Sequence, residues 1–518
     1  MPEFPIPDFA TLLALVYITY RSVLDEVFGR PSLMATGLML LAAAAYHAVF
    51  LSRQKDWKFL GPDELASCEQ PTFEIALVIQ RILPAHSLLC SLCNSWGGGG
   101  MSTAGAIALG HETIETVLSR TREQARAAAS VDWQLISSRA EFERLEPEWN
   151  ALHARVSGAS KVFLNFNWNW HWANHYLSDQ TCQLAIVVGR RHGVLVSIWP
   201  LVSQRLAGLR MVTFMGMPVS QYGDLLVDRT DPQHETMLRQ GWTFVRTSLK
   251  ADLVLLRKVR EDSAVAALMR QLGVSGDNQQ SAPYIDLRGV TSYQSFEETY
   301  NGRDRRNRRR RRRRLEEIGT VAGRRLSEPE VRQEGIELAM LRKREWLTTQ
   351  GRVSTAVADP RFEAFFRDAV TSTQRPCACD ISELTIDGHP VATKITVNDG
   401  NYCGLHFSSY DQAMDKFSPG ALVLEYTIAG AIEQGSSTFD FMAPAAPYKL
   451  EWTDKQVSIA DYAVPIGLLG TLYQSVYLRQ LRPHLQRLAK EGPAPVRRLI
   501  GGALKLLNRH SAAPVGVE

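Results

Sequence analysis

One order of elements occurs twice between residues 131 and 465, and a chain that repeats it builds two sheets of the same kind. In the first pass, residues 133–137 read as a short strand. A helix is predicted from Ser138 onwards, where Phe142, Leu145, Trp149 and Leu152 recur at helical spacing. Two β-rich runs, 182–189 and 194–203, flank the turn Arg190-Arg191-His192-Gly193. A third strand is predicted at 210–216, a helix at 232–249 and a strand at 252–259. In the second pass, runs 380–386 and 390–397 flank Asp387-Gly388, a two-residue hairpin signal. Asn398-Asp399-Gly400 makes the next turn, and 401–408 is the third strand. A helix at 419–434 is closed by Gly435 in the C′ position, and a strand follows at 438–442. The halves are not alike in sequence, so the repeat is one of architecture. The expected class is mixed α/β (α+β), with sheets flanked by helices. The expected divisions are a first half at 131–290, a helical connection at 291–379, a second half at 380–465 and a basic helical tail at 466–518.

The 518 residues suffice for two or three domains. With 45% hydrophobic and 22% charged residues the chain reads as globular, and a net charge of +4 selects no partner. The distribution of charge says more. The connection, with helices predicted at 292–318, 329–349 and 360–373, contains seven consecutive arginines, Arg308 to Arg314. On a helix they cover every face, so they cannot all pack. Such a run invites phosphate contacts, yet the aromatics expected for single-stranded nucleic acid are missing from it. A solvated or cleft-lining helix is the plainer reading, and nucleic acid stays a partner the run allows without favouring. The seven cysteines are scattered, and Cys90 and Cys93 form a single CxxC with no second pair. No disulfide framework or metal site is expected, and the compartment reads as reducing and cytoplasmic.

The first hundred residues differ from the rest. Residues 33–51 are 19 in a row without Asp, Glu, Lys or Arg, the span a bilayer helix needs. Met1 to Asp8 lacks the basic start of a secretory signal and carries acids. Residues 1–100 are therefore a membrane anchor or an over-long gene model. The second is preferred, because the codons of Gly97 to Gly100 before Met101 can spell a purine-rich ribosome-binding site. In the tail, from Arg479 to Arg509, eight Arg or Lys face the single acid Glu491. Leucines beside basic residues suit a partner helix, an anionic membrane surface or packing on the main domain.

The most informative stretch runs from Tyr410 to Trp452. Ser418 reads as the N-cap of a helix and Pro419 as its first residue, while Gly420 leaves the first turn bare. Exposed N–H groups and the helix dipole make such a turn a place for phosphate oxygens; the alternative is an ordinary capped helix. Ser418-Pro419-Gly420, Asp440-Phe441, Tyr448-Lys449 and Trp452 occur in this order. Upstream stand Arg305-Arg306-Asn307 with Arg309, Arg310 and Leu315, then Trp168 to Trp172 and Gln221-Tyr222-Gly223-Asp224. Together these resemble the CelD-like branch of GNAT acetyltransferases, named for cellulose biosynthesis and similar to the Fem aminoacyltransferases. The resemblance covers roughly residues 131–465.

The resemblance implies tandem GNAT-like halves and an acyl donor, acetyl-CoA, in the second of them, with its pyrophosphate at Ser418, Pro419 and Gly420. The chemistry is attack of an amine or hydroxyl on a thioester, which needs a base, donors for the oxyanion and an acid for the thiolate. Lys449 would stabilise developing negative charge and Tyr448 would protonate the thiolate, the alternatives being an exposed lysine and a packed ring. Asp440 is a base or an anchor, and His406 a catalytic or a satisfied structural histidine. Arg305, Arg306, Arg309, Tyr222 and Asp224 would contact the acceptor or phosphates. The implied acceptor is a cell-envelope or saccharide (exopolysaccharide) precursor. Ordinary GNAT proteins carry a longer glycine-rich pyrophosphate loop, so aminoacyl-tRNA, the Fem-like donor, remains an alternative. A third reading is a non-catalytic protein that binds nucleic acid or an envelope complex.

Overall fold

A computed structural model describes residues 131–482, apart from 157, 179, 180, 207 and 353. The readings placed on residues 1–100, on Cys90 and Cys93, and on the tail beyond 482 lie outside the described residues.

The first half opens with β1 (Asp132–Ile136), α1 (Arg139–Arg144) and α2 (Glu146–Arg155). The single helix expected from Ser138 onwards is thus two, and Ser138 itself is the cap of the first. Ser138 and Glu141 cap α1 reciprocally, and Pro147 sits in the first turn of α2, where its fixed φ suits a new start. Phe142 and Trp149 still bury into one cluster, with rings 5.8 Å apart. A 3₁₀ turn (Ala159–Leu164) and α3 (Phe166–Tyr176) follow. The expected hairpin is present, but each arm is broken. Its first arm is β2 (Cys182–Leu184) and β3 (Ile186–Arg191), its second β4 (Val194–Trp199) and β5 (Leu201–Leu206). Pro200 cannot donate to a ladder. At that point the hairpin passes from one sheet to another, with Ala185 N donating to Leu201 O at 3.0 Å. Then come β6 (Leu209–Phe214), β7 (Leu226–Val227), α4 (His234–Ser248), β8 (Leu253–Arg260), α5 (Ala264–Gln271) and β9 (Asp277–Asp286).

The connection holds α6 (Tyr293–Glu298), α7 (Gly302–Glu316), β10 (Val321–Arg325), α8 (Pro329–Thr349), α9 (Thr355–Ala358) and α10 (Pro360–Thr371). The helix expected across 292–318 is broken because Asn301 caps a fresh start, its side chain accepting from Arg303 N and Asp304 N. The second half is β11 (Cys379–Ile386), β12 (His389–Asp399), β13 (Tyr402–Tyr410), α11 (Pro419–Glu433), β14 (Thr438–Asp440), α12 (Pro447–Leu450) and β15 (Gln456–Pro465), followed by α13 (Leu468–Leu472). Gly435 takes φ +77 after α11, the left-handed stop its position suggested.

Four strands form one sheet in the order β1-β3-β4-β7. Eleven form another, in the order β10-β11-β12-β13-β14-β9-β15-β8-β6-β5-β2. The halves exchange strands. β9 belongs to the first half in sequence but pairs with β14, setting Phe439 opposite Ile285. β15 belongs to the second half in sequence but pairs with β8, setting Ala463 opposite Leu255. β9 and β15 also pair with each other. The result is a mixed α/β fold in which the second half's sheet is completed by the first half's strand.

Candidate active site

β13 and β14 are parallel and joined by α11, yet they pair only at Tyr402–Thr438, Cys403–Phe439 and Gly404–Asp440. Beyond Gly404, β13 runs on to Tyr410, while the chain after Asp440 turns away through Met442, at φ +58. The two parallel strands therefore part at their carboxyl ends, beside the start of α11, and this parting is the candidate cleft, the place where open α/β sheets bind ligands. Gly404 stands at its apex, where an added Cβ would lie 2.3 Å from Met442 Cε. The β12–β13 register slips between Ile395–Phe407 and Thr396–Leu405, which leaves His406 as the extra residue of a bulge on the cleft strand.

Lys449 and Tyr448 both reach this cleft from α12. Lys449 is buried and its Nζ donates to Met442 O and Pro444 O, each at 2.8 Å. The Tyr448 ring lies 6.0 Å from Lys449 Nζ and 5.7 Å from Lys394 Nζ. Lys394 carried no signal in the sequence beyond its place on a strand. It is 2% exposed and hydrogen-bonds Ser408, its partner across the β12–β13 ladder. Burial, reinforced by the charges of Lys343 and Lys449, holds its ammonium down to about 7.

Asp440 is fully buried and saturated. Its carboxylate accepts from Arg260 Nη1 at 2.7 Å, from the hydroxyls of Tyr222 and Tyr402 at 3.0 Å and from Met442 N at 2.7 Å. That geometry is an anchor between the halves, with Arg260 and Tyr222 from one and Tyr402 from the other. Phe439 and Phe441 pack on the opposite side, in the core under α11, as strand alternation requires. His406 Nε2 meets Val219 O at 2.5 Å, so the ring donates there. Its surroundings are the rings of Phe163, Trp168 and Phe366, and burial lowers the imidazole to about 4.

The remaining expected residues are dispersed. Tyr222 is buried beneath Arg260, whose guanidinium lies 4.9 Å from its ring. Asp224 is buried and accepts from Val265 N at the start of α5, at 3.1 Å. Arg305 is half-buried on α7, while Arg306 and Arg309 are exposed. Ser418 departs from the expected cap. It is left-handed, at φ +56, and its side chain makes no cap hydrogen bond. Ser418 also ends the preceding 3₁₀ turn (Gln412–Phe417), its N bonding Asp415 O at 2.9 Å, and Ala421 N bonds Ser418 O, at 3.0 Å. Pro419 and Gly420 occupy the first turn as expected, with Tyr410 beside Gly420.

The arginine run is not uniformly solvated. Arg308 is buried between Tyr300 and Trp452, 3.9 Å from each ring centroid. Arg311 pairs with Glu451 at 3.1 Å and Arg312 with Glu425 at 3.5 Å. The aromatics missing from the run come from neighbouring segments, and Tyr300 donates to Trp452 O at 2.6 Å. α7 thereby fixes the segment that carries Tyr448 and Lys449. A cleft of about 410 Å³ lies at the other end of α11, lined by Arg324, Asp380, Tyr426 and Gln434, away from these groups. Among the described residues no His, Cys, Asp or Glu cluster could hold a metal. Among them, too, no helix is long and apolar enough to cross a membrane.

Residues 302–450, the stretch that holds β13, α11, β14 and α12, match the family described as Acetyltransferase (GNAT) domain. No curated protein matches the chain. Solved structures with similar outlines include one titled crystal structure of FemX, at 10% identity and TM-score 0.47, covering 67% of this chain and 99% of that one. Another is a tandem GNAT protein from the clavulanic acid biosynthesis pathway, at 12% identity and TM-score 0.37, covering 65% and 99%. A third is the C-terminal domain of a putative lysylphosphatidylglycerol synthetase from Agrobacterium fabrum, at 11% identity and TM-score 0.41, covering 64% and 94%.

Proposed function

We propose that this chain transfers an acyl group from an acyl-CoA thioester, acetyl-CoA in the first instance, to an amine or hydroxyl acceptor. The observation that carries the reading is the cleft between β13 and β14. It opens where α11 begins and brings Lys449, Tyr448 and Lys394 to one place within the GNAT-matched stretch. The bare first turn at Pro419 and Gly420 would take the pyrophosphate. The slot beyond Gly404 would take the pantetheine arm and thioester. Lys449 would face the developing oxyanion and Tyr448 the departing thiolate. Asp440 acts as the anchor of this arrangement, and His406 as a wall of it. In this reading the protein is cytoplasmic and the acceptor is a cell-envelope or exopolysaccharide precursor, in line with the CelD-like motif order.

Calorimetric titration of acetyl-CoA into the protein tests the donor, with Gly420→Trp as control. Micromolar binding that the control loses supports it; no binding by folded protein removes it. A second reading, aminoacyl-tRNA as donor, draws on the guanidiniums that α7 leaves outward at Arg306, Arg309, Arg310, Arg313 and Arg314. It requires tRNA affinity that falls steeply with salt, and a flat salt response excludes it.

A further inference from the structure

We propose that Ser408 and Lys394 are the proton-accepting pair of the transfer, the serine hydroxyl contacting the acceptor and the lysine amine taking the proton through it. The proposal rests on the acyltransferase reading above and names groups for a step that reading leaves open.

The geometry has two parts. The β12–β13 register sets Lys394 opposite Ser408, and the two side chains are hydrogen-bonded. Ser408 is half-buried on the open stretch of β13, whereas Lys394 is 2% exposed behind it. A molecule in the cleft meets the hydroxyl first, with the amine one hydrogen bond further in. The neighbouring candidates are already occupied. Asp440 receives four donors from Arg260, Tyr222, Tyr402 and Met442. His406 has Nε2 committed to Val219 O and its ring enclosed by aromatics.

The surroundings suit a lysine that works as a neutral amine. α8 brings Lys343 and α12 brings Lys449, whose charges both disfavour the ammonium. α12 also brings the uncharged Tyr448, and β11 sets Ser382 opposite Lys394. The acids on adjacent elements are engaged elsewhere: Glu383 by Arg324 at 2.9 Å, Asp399 by Lys161 at 3.6 Å and Glu425 by Arg312 at 3.5 Å. With no carboxylate to favour its charge, Lys394 sits at about 7, so a large share of it is free amine at neutral pH.

The step balances within the site. The acceptor N–H or O–H gives its proton to Ser408 Oγ while the Ser408 proton moves to Lys394 Nζ. The freed lone pair bonds the thioester carbonyl carbon. Collapse of the tetrahedral adduct breaks the C–S bond, and the thiolate leaves with that electron pair. The proton held by Lys394 is then released to the thiolate or to water.

The test measures CoA thiol release from acetyl-CoA against pH, with hydroxylamine as acceptor because it is uncharged across the neutral range. The full chain is compared with Lys394→Met, Ser408→Ala and Lys343→Met. In the wild type, kcat/KM is expected to rise with pH around a midpoint of about 7. Lys394→Met should lower kcat/KM by about 100-fold and flatten that rise. Ser408→Ala should also lower it, by interrupting the relay. Lys343→Met leaves the pair in place and removes a positive neighbour, so the plateau should stay and the rise should move to higher pH. This arm decides the matter even if Lys394→Met fails to fold. A rate that falls as pH rises through 7 overturns the proposal, since the lysine would then be needed as a cation. So does an unmoved profile in Lys343→Met, or an acyl group found on Ser408 by mass spectrometry. Wild-type release with Lys394→Met unaltered overturns the pair alone, whereas no release by the wild type overturns the acyltransferase reading and the pair with it.

Discussion

Replacing Asp440 with alanine tests how the two halves are held together. The carboxylate side chain is 1% exposed and Arg260, its partner at 2.7 Å, is 6% exposed. Removing the carboxylate strands a buried guanidinium, which keeps Asp262 at 2.9 Å as its other partner. The hydroxyls of Tyr222 and Tyr402 and the amide of Met442 also lose their acceptor. Breaking one partner of a buried pair costs roughly 3–5 kcal/mol, and each stranded donor adds to that. The remaining bond from Arg260 to Asp262 offsets part, so a loss of about 4 kcal/mol is expected. Urea unfolding followed by tryptophan fluorescence reads it, because Trp168 and Trp172 are buried in the same half as Tyr222. Arg260→Met should cost less than Asp440→Ala, since it strands fewer donors, and the double variant should be far less destabilised than the sum of the two. Additive losses, or a loss in Asp440→Ala below about 1 kcal/mol, would refute the anchor. A wild-type denaturation midpoint with activity abolished would instead restore Asp440 as a base.

Three further outcomes follow from the geometry. His406 is neutral and buried, at about 4 against an ordinary 6.5. Stability should therefore be undiminished above the ordinary value and decline as pH falls from 6.5 toward 4, by up to about 3 kcal/mol from this group; His406→Phe should lessen that decline, and an unchanged acid profile would count against the burial argument. Arg308→Met removes the guanidinium held between Tyr300 and Trp452, and should cost about 2 kcal/mol while raising hydrogen exchange across 447–452; unchanged exchange there would show that α7 does not fix the segment. Gly404→Val places a side chain at the cleft apex against Met442 and Tyr402. It should destabilise by roughly 1–3 kcal/mol and weaken acetyl-CoA binding, which a titration would show.

Much of the strand and helix order was legible from residues 131 to 465. The hairpin at Asp387-Gly388 and the stop at Gly435 are written in a few adjacent residues, because turn geometry is satisfied locally. Asp440 was legible only in part. Alternation with Phe439 and Phe441 set the face it points to, but its four donors come from positions as far away as Tyr222 and Arg260. Ser418 stands at the N-cap position that its residue type suggests, but its side chain makes no cap bond, because its left-handed backbone also ends the 3₁₀ turn Gln412–Phe417.

Tertiary structure alone decided the rest. β9, with Pro283 inside it and polar residues at its start, has little strand periodicity, and it becomes a strand because β14 and β15 offer it two ladders. The aromatics for Arg308 come from Tyr300, just before α7, and Trp452, just after α12 in the second half. Lys394 looks like an ordinary strand lysine until its burial and its register with Ser408 are known. Sequence thus determined the elements, whose hydrogen bonds close over short distances. Only the tertiary structure decided the strand exchange and the lysine's environment, because pairing register and burial depend on residues far apart in the chain.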